Sequence, residues 1–300
     1  MHKVGFLACE TTLPATDGGS VERRQDAFEH DRMIAALEPP FTSHGLELTV
    51  LDWEAPLHTF DNIRLALLGT AWNYQDKPDA FLTKLKSLEK RGIKVCNPPG
   101  TVRWNMHKAY LRTLSQFGVQ TIPTLWRDEV TRSDANEAME KFNCDRLVVK
   151  RQLGAGALDQ VLVTPDTLLR LDWSYSHSAM LQPFIESIAE EGELSFVFID
   201  GAFSHAIRKQ PAKGDYRIQS LYGGREEVFQ PSLREIATAQ EITKALPCEP
   251  PVYARIDLVR MDDGELALME AELIEPYLYP DQGPGLGERL ARAIAKRLDQ

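Results

Sequence analysis

The stretch YARIDLVRMDDGELALMEAELIEP, Tyr253 to Pro276, narrows the possible folds more than any other part of the chain. Two runs of alternating apolar residues flank Asp263-Gly264, a dipeptide that favours a two-residue hairpin loop because glycine takes φ > 0 without strain. With that loop, the numbers of facing residues sum to a constant, so Asp262 faces Glu265, Asp257 faces Glu270 and Arg255 faces Glu272. Facing residues project to one side, as do residues two apart on a strand. Arg255, Asp257, Glu270 and Glu272 therefore share a face, and Ile256, Leu258, Met269, Ala271 and Leu273 share the other, which is a core face. Facing Cβ atoms lie about 4.5–5.5 Å apart, a spacing at which like charges destabilise a sheet. Two readings stand at this point: a solvated face on which Arg255 offsets the repulsion, or a site for a hard cation such as Mg²⁺, which takes carboxylate, water and phosphate oxygens.

Three hundred residues, 43% of them hydrophobic and 26% charged, suit a globular protein of about two domains. The net charge of −10 and the lack of a concentrated Lys/Arg run argue against nucleic acid or an anionic membrane as partner. A small anion needs only a few local cations and is not excluded. Cys9, Cys96, Cys144 and Cys248 are widely spaced, which predicts free thiols rather than a disulfide framework or a zinc site. Neither HExxH nor GxSxG occurs. MHKVGFLACE leads straight into a strand-like run, and no apolar stretch reaches the ~20 residues of a membrane span, so a cytoplasmic location is expected.

The first hundred residues alternate strand and helix: strands at Lys3–Cys9, Leu46–Leu51, Arg64–Leu68 and Ile93–Cys96, helices at Arg23–Leu37 and Ala80–Arg91. This α/β pattern predicts a parallel sheet covered on both faces. The long, turn-rich loop Glu10–Ser20 is a candidate flap. NPPGTVRWNMHKAYLRTLSQFGV reads as a proline-rich break followed by a helix ending at Gly118. Beyond it, short strands and helices of α+β type lead to the hairpin, and an amphipathic helix carrying Leu286, Leu290, Ile294 and Leu298 closes the chain.

Two further segments suit a nucleotide. RLVVKRQLGAGALDQVLV places Lys150 before a loop whose Gly154 and Gly156 let backbone N–H groups approach an anion. It is neither a Walker A loop nor a dinucleotide fingerprint, and a plain hairpin loop fits equally. MLQPFIESIAEEGELSFVFIDG runs through a Gln-Pro step whose extended backbone can present C=O and N–H groups to a base edge, or can be an ordinary linker. GTAWNY follows a front strand, a usual place for a ligand loop, which makes Trp72, Asn73 and Tyr74, with the Glu10–Ser20 loop, substrate-side candidates.

Taken in order, Lys108, Lys150 with its glycine loop, LQPFIE…GELS, HAIRK and ARID…EAE resemble the ATP-grasp superfamily, which includes D-alanine–D-alanine ligase, glutathione synthetase and the ribosomal-protein glutamate ligases. GTAWNY, NPPGTVRWNMHKAYL, PTLW and FIDGAFSHAIRKQPAKGDYRIQ look most like the subgroup containing the D-cycloserine-forming cyclo-ligase. The resemblance implies an N-terminal α/β substrate-side domain (1–100), a connecting helix (101–118), and small (119–190) and C-terminal (191–300) ATP-grasp subdomains, the last with a metal-binding hairpin. It implies that Lys108 and Lys150 hold ATP phosphates under Gly154 and Gly156, and that Gln182, Pro183 and Ile185 read adenine. Glu193 would hold the ribose and Lys209 the γ-phosphate region, while Arg217 and Arg255 would stabilise acyl-phosphate oxygens. Asp257, Glu270 and Glu272 would hold one or two Mg²⁺ ions, although many members carry Asn where Glu272 stands, so Glu272 pairing with Arg255 is an alternative. From the residues alone, Lys108 sits off the apolar face of its helix, where a solvated lysine is ordinary.

The expected activity is an ATP- and Mg²⁺-dependent carboxylate–amine ligation through an acyl phosphate on a small amino-acid-like substrate, with ring closure onto its own amine as a variant. The alternatives are a nucleotide-binding regulator of the same fold and a metal-dependent phosphohydrolase. A homodimer is compatible with the sequence, which does not fix the oligomeric state.

Overall fold

The computed structural model describes residues 1–14, 22–154, 159–169, 173–212, 214–215, 217–218 and 223–299. Strands β1 (His2–Ala8), β2 (Leu46–Asp52), β3 (Leu65–Thr70) and β4 (Lys94–Cys96) form a parallel sheet in the order β2-β1-β3-β4. Every residue of β3 is buried, which explains why it reads as a continuous apolar run rather than an alternating one. The helix expected at Arg23–Leu37 spans Ala27–Ser43 and continues through Pro39 and Pro40, with Phe41 fully buried beyond them. The single helix expected over 101–118 is two short ones, Pro99–Asn105 and Tyr110–Gln116. At the break the Lys108 main-chain N–H donates to the Gln152 carbonyl at 2.8 Å, a bond that a continuous helix would have kept internal.

Strands β5 (Leu125–Arg127), β6 (Val130–Thr131), β7 (Leu147–Arg151), β8 (Val161–Val163), β9 (Ser174–Tyr175) and β10 (Ala179–Pro183) follow. Four of them pair antiparallel in the order β5-β10-β7-β8, and β6 pairs with β9. The helix Arg132–Phe142, held by a capping box at Thr131 and Asp134, buries Ala135 and Ala138 against Leu147, Val149 and Leu181. The third sheet takes β11 (Glu193–Ile199), β12 (Ala202–Gln210), β13 (Arg225–Phe229), β14 (Tyr253–Arg260) and β15 (Leu266–Glu272), antiparallel in the order β13-β12-β11-β14-β15. On one face Phe196, Ala254, Ile256 and Leu258 pack with the helix Leu233–Lys244. The other face begins apolar, with Val197, Ile207 and Tyr253 merging into the core of the parallel sheet, and turns polar farther along the same strands. The four cysteines are free, and no helix among the described residues is long and apolar enough to cross a membrane.

The hairpin departs from the expected register near its turn. Met261 N–H donates to Glu265 O at 2.9 Å and Gly264 N–H to Met261 O at 2.8 Å, so three residues form the loop, with Gly264 at φ +83°. Met261 therefore faces Glu265, where the two-residue loop had placed Asp262. The ladder regains its expected pairing through a bulge: Leu258 faces Leu268, yet Asp257 faces Glu270 and Arg255 faces Glu272. Met269 is the extra residue, and it packs with Ile122 and Ile185 at the cleft described below instead of joining the core face.

Strand β15 lies at the sheet edge, and its outward backbone groups are buried, so they need partners. Asn105 supplies two, donating to Ala271 O (2.8 Å) and accepting from Leu273 N (3.0 Å). Tyr110 Oη accepts from Ala271 N (2.9 Å), and Asn97 donates to Leu273 O (2.8 Å) and Tyr253 O (3.0 Å). Replacing Asn105 with Ala orphans a buried carbonyl and a buried N–H. At about 1–3 kcal/mol each, the expected loss is about 2–6 kcal/mol of unfolding free energy in a denaturant titration.

Candidate active site

The three sheets meet at a cleft of about 430 Å³. Its floor is the polar half of the third sheet. Pairing sets Glu226, Lys209 and Glu193 in line across β13, β12 and β11, and sets Ser195, Asp257 and Glu270 in line across β11, β14 and β15. Gly192, at φ +96°, brings the chain so close that a Cβ there would lie 2.5 Å from Lys209 O, and Glu193 then pairs with the Lys209 ammonium.

These buried charges neutralise one another. Arg255 donates to Asp257 through Nε (3.0 Å) and Nη2 (2.9 Å), pairs with Glu272, and donates to Tyr277 O (3.1 Å). Asp257 also accepts from Ser195 Oγ (2.6 Å) and has Lys209 Nζ at 3.6 Å. Burial opposes ionisation of Asp257, but Arg255 and Lys209 outweigh it and hold the carboxyl at about 2. Burial likewise opposes the Lys209 charge, and Asp257 and Glu193 outweigh it, keeping Lys209 protonated well above the usual lysine range. Tyr279 lies under both cations, 5.8 Å from Lys209 and 5.6 Å from Arg255.

Lys108 is not the solvated lysine its helical position suggested: it is only 8% exposed and pairs with Glu270. Lys150 also lines the cleft, and among the described residues it has no ion-pair partner. Burial pushes its ammonium below the usual lysine range, with Glu270 pulling the other way. Gln182, Pro183, Ile185 and Gly154 line the same cleft, and Gly154 also borders the side cavity beside Lys108 and Glu270. Gln182 donates to Thr124 Oγ1 at 2.9 Å, while its buried Oε1 has no partner. Gly156 lies outside the described residues. Arg217 lines the cleft and donates to Asp215 at 2.8 Å.

The substrate-side trio separates. Trp72 lines the cleft, with its ring under Arg24 (5.0 Å) and its N–H donating to Glu275 O (3.0 Å). Asn73 does not reach the cleft; its Oδ1 accepts from Trp53 Nε1 at 2.6 Å and its amide donates to Glu54. Tyr74 is buried on Phe81 and borders only a side cavity of about 30 Å³. Of the Glu10–Ser20 loop, residues 15–20 lie outside the described residues.

Asp257, Glu270 and Glu272 share a wall as expected, but each is held by a cation of the protein, and no metal-holding group of three His, Cys, Asp or Glu residues exists among the described residues. The expected alternative, Glu272 against Arg255, is present, and Asp257 shares the same guanidinium. The donor chemistry still suits Mg²⁺: the wall offers carboxylate oxygens alone, and Glu270 and Glu272 are half-buried and border the cleft.

Sequence reading missed Arg24, Gln75, Glu226, Glu275 and Tyr279 in the lining. Glu226 becomes visible only through strand pairing, and Tyr279 only through the path of the irregular segment after β15, where it takes φ +49°. Glu275 follows two successive buried residues, Leu273 and Ile274, where alternation fails and the side chain's direction is unreadable. Burial, with Glu272 next to it, pushes the Glu275 carboxyl up to about 8.

Such a set of sheets around a charged cleft is the ATP-grasp fold. The chain superposes over 99% of its length on the crystal structure of D-cycloserine synthetase DcsG (TM-score 0.81, 23% identity, 99% of that chain). It also superposes on D-alanine–D-alanine ligase from Bacillus anthracis complexed with ATP (TM-score 0.67, 20% identity, 99% and 97% of the two chains). Within that fold the likeness is to the cycloserine subgroup: residues 4–97 match the family model described as D-cycloserine synthetase DcsG, N-terminal domain. The cycloserine biosynthesis protein DcsG of Streptomyces lavendulae is 29% identical over 272 residues, 85% of this chain and 90% of that one. A glutathione synthetase of Prochlorococcus marinus is 24% identical over 235 residues, 72% of this chain and 74% of that one. The resemblance read from the motifs is borne out.

A raised carboxyl pKa binds its proton more tightly in the folded chain than in the unfolded one. The stability that Glu275 contributes is therefore complete below its unfolded value near 4.5 and is lost as pH rises through about 8. The ligand-free protein is expected to melt lower at pH 9 than at pH 7 in differential scanning calorimetry.

Proposed function

We propose that this chain is an ATP-dependent carboxylate–amine ligase that activates a small amino-acid-like carboxylate as an acyl phosphate. The observation that carries the reading is the pair of unmet polar groups along the cleft. Among the described residues, Gln182 Oε1 is a buried acceptor with no donor, and Lys150 is a half-buried ammonium with no ion-pair partner. A buried acceptor without a donor and a partly desolvated cation without an anion each cost free energy that a ligand can return. A nucleoside triphosphate fits both, with its base amino group on Gln182 and its phosphates on Lys150 and Lys108.

A carboxylate is a poor electrophile. Transfer of the γ-phosphoryl group to one of its oxygens gives an acyl phosphate and ADP; the amine then adds to the carbonyl carbon, and phosphate departs with the C–O electron pair. Catalysis on this reading is positioning and charge neutralisation. Lys209 and Arg255 are fixed by Glu193 and Asp257, so they present cationic charge without reorganising, and Arg217 adds a guanidinium at the rim. Mg²⁺, when bound, would be held by Glu270 and Glu272 with Asp257 behind them, and would screen the phosphate charge. Lys108, relieved of Glu270, would then turn to the phosphates. On the substrate side stand Trp72 and the front-sheet loops, and the likeness to D-cycloserine synthetase favours ring closure onto the substrate's own amine. The free cysteines support a cytoplasmic setting.

Incubation with ATP, Mg²⁺ and a panel of amino acids and their O- and N-substituted analogues should release ADP and phosphate; AMP and pyrophosphate would contradict the mechanism. Lys150→Met should raise the KM for ATP about tenfold or more while leaving the melting temperature unchanged or higher, because it removes a half-buried charge that has no ion-pair partner among the described residues.

A further inference from the structure

Four carboxylates reach the cleft from β14, β15 and the segment after β15: Asp257, Glu270, Glu272 and Glu275. The first three are ion-paired, to Arg255 and Lys108. Glu275 has no ion pair among the described residues. Its Oε1 accepts a long hydrogen bond from the Gln75 amide (3.4 Å), and its other oxygen has none among the described residues. The Trp72 indole N–H, donating to the Glu275 carbonyl at 3.0 Å, ties this point of the chain to the front-sheet loop. Glu275 is thus tied to the front-sheet loop through Trp72 and Gln75, and it borders the side cavity of about 30 Å³ together with Lys108, Glu270 and Glu272. Burial, with Glu272 and Glu270 close by, holds the proton on Glu275, and the Gln75 hydrogen bond and the Lys108 charge only partly oppose this.

We propose that Glu275 binds the α-ammonium group of an amino-acid substrate, a group separate from the amine that attacks, with Gln75 and Trp72 as its positioning residues. The assignment rests on the ligase reading and deepens it: in the same cleft Lys150 offers its charge to an anion, and Glu275 offers its carboxylate to a cation. An ammonium supplies donors to the vacant carboxylate oxygen and a positive charge to pair with it. A substrate without that group leaves the buried carboxyl unmet, which is the situation in which polar sites discriminate strongly. Gln75 holds one oxygen so that the other points to the ligand, and Trp72 fixes the main chain from which the carboxylate projects.

The test compares wild type with Glu275→Gln, using ATP, Mg²⁺ and O- and N-substituted amino acids whose side chain carries the amine that attacks, alongside the matching acids that keep that side chain and lack only the α-amino group. ADP release is the readout. Wild type should prefer the α-amino compound by about 10- to 100-fold in kcat/KM, the scale of one charge-assisted hydrogen bond, and E275Q should lose most of that preference with the KM for ATP held within about twofold. Retained preference in E275Q, or a rise confined to the KM for ATP, overturns the assignment and leaves the ligase reading standing. Absence of ADP with every compound counts against the ligase reading alone, and melting of the ligand-free proteins then judges Glu275. A melting temperature for E275Q equal to or above that of wild type supports a ligand-facing carboxylate, and a clearly lower one shows a structural role and overturns the proposal.

Discussion

Burying charge in a sheet is tolerable only when each charge meets its opposite, and the floor of this cleft is organised by that requirement. Lys209 sits against Glu193 and close to Asp257, Arg255 serves both Asp257 and Glu272, and Lys108 reaches Glu270 from a separate helix. A buried charge stripped of its partner costs several kcal/mol, so these pairs fix one another's rotamers. The same rule makes the exceptions informative. Among the described residues that line the cleft, Lys150, Glu226 and Glu275 have no ion pair and Gln182 Oε1 has no hydrogen-bond donor.

The scaffold serves this floor. An edge strand carrying two carboxylates has to be held in register, and side chains from the connecting helices do so: Asn105 and Tyr110 close the outer edge of β15, and Asn97 reaches the β14 and β15 carbonyls from the end of the parallel sheet. The break between those helices also delivers Lys108 to Glu270. The core of the parallel sheet continues into the third sheet through Val197, Ile207 and Tyr253, so substrate side and floor are built as one packed body.

Much of this was legible beforehand because it follows from periodicity. The parallel sheet follows from β-α alternation, and the charged face of the hairpin from period two. The turn was misread by one residue, since Gly264 at φ +83° suits a three-residue loop as well as a two-residue one. The bulge at Met269 compensates, so the pairs that matter came out right for an incomplete reason. Long-range partners were not legible. Nothing near Lys108 announces Glu270, 162 residues away, and Asn73 looks as suitable for a ligand as Trp72 until Trp53 is seen to occupy it. Glu275 was hidden because it lies just past the strand, where side-chain direction depends on the chain path rather than on a repeat.

The most direct measurement is a crystal structure with Mg²⁺ and a non-hydrolysable ATP analogue. The account predicts the base amino group within hydrogen-bond distance of Gln182 Oε1, phosphate oxygens on Lys150, and Lys108 released from Glu270. A nucleotide bound elsewhere, with Lys150 and Gln182 Oε1 still unmet, would contradict it.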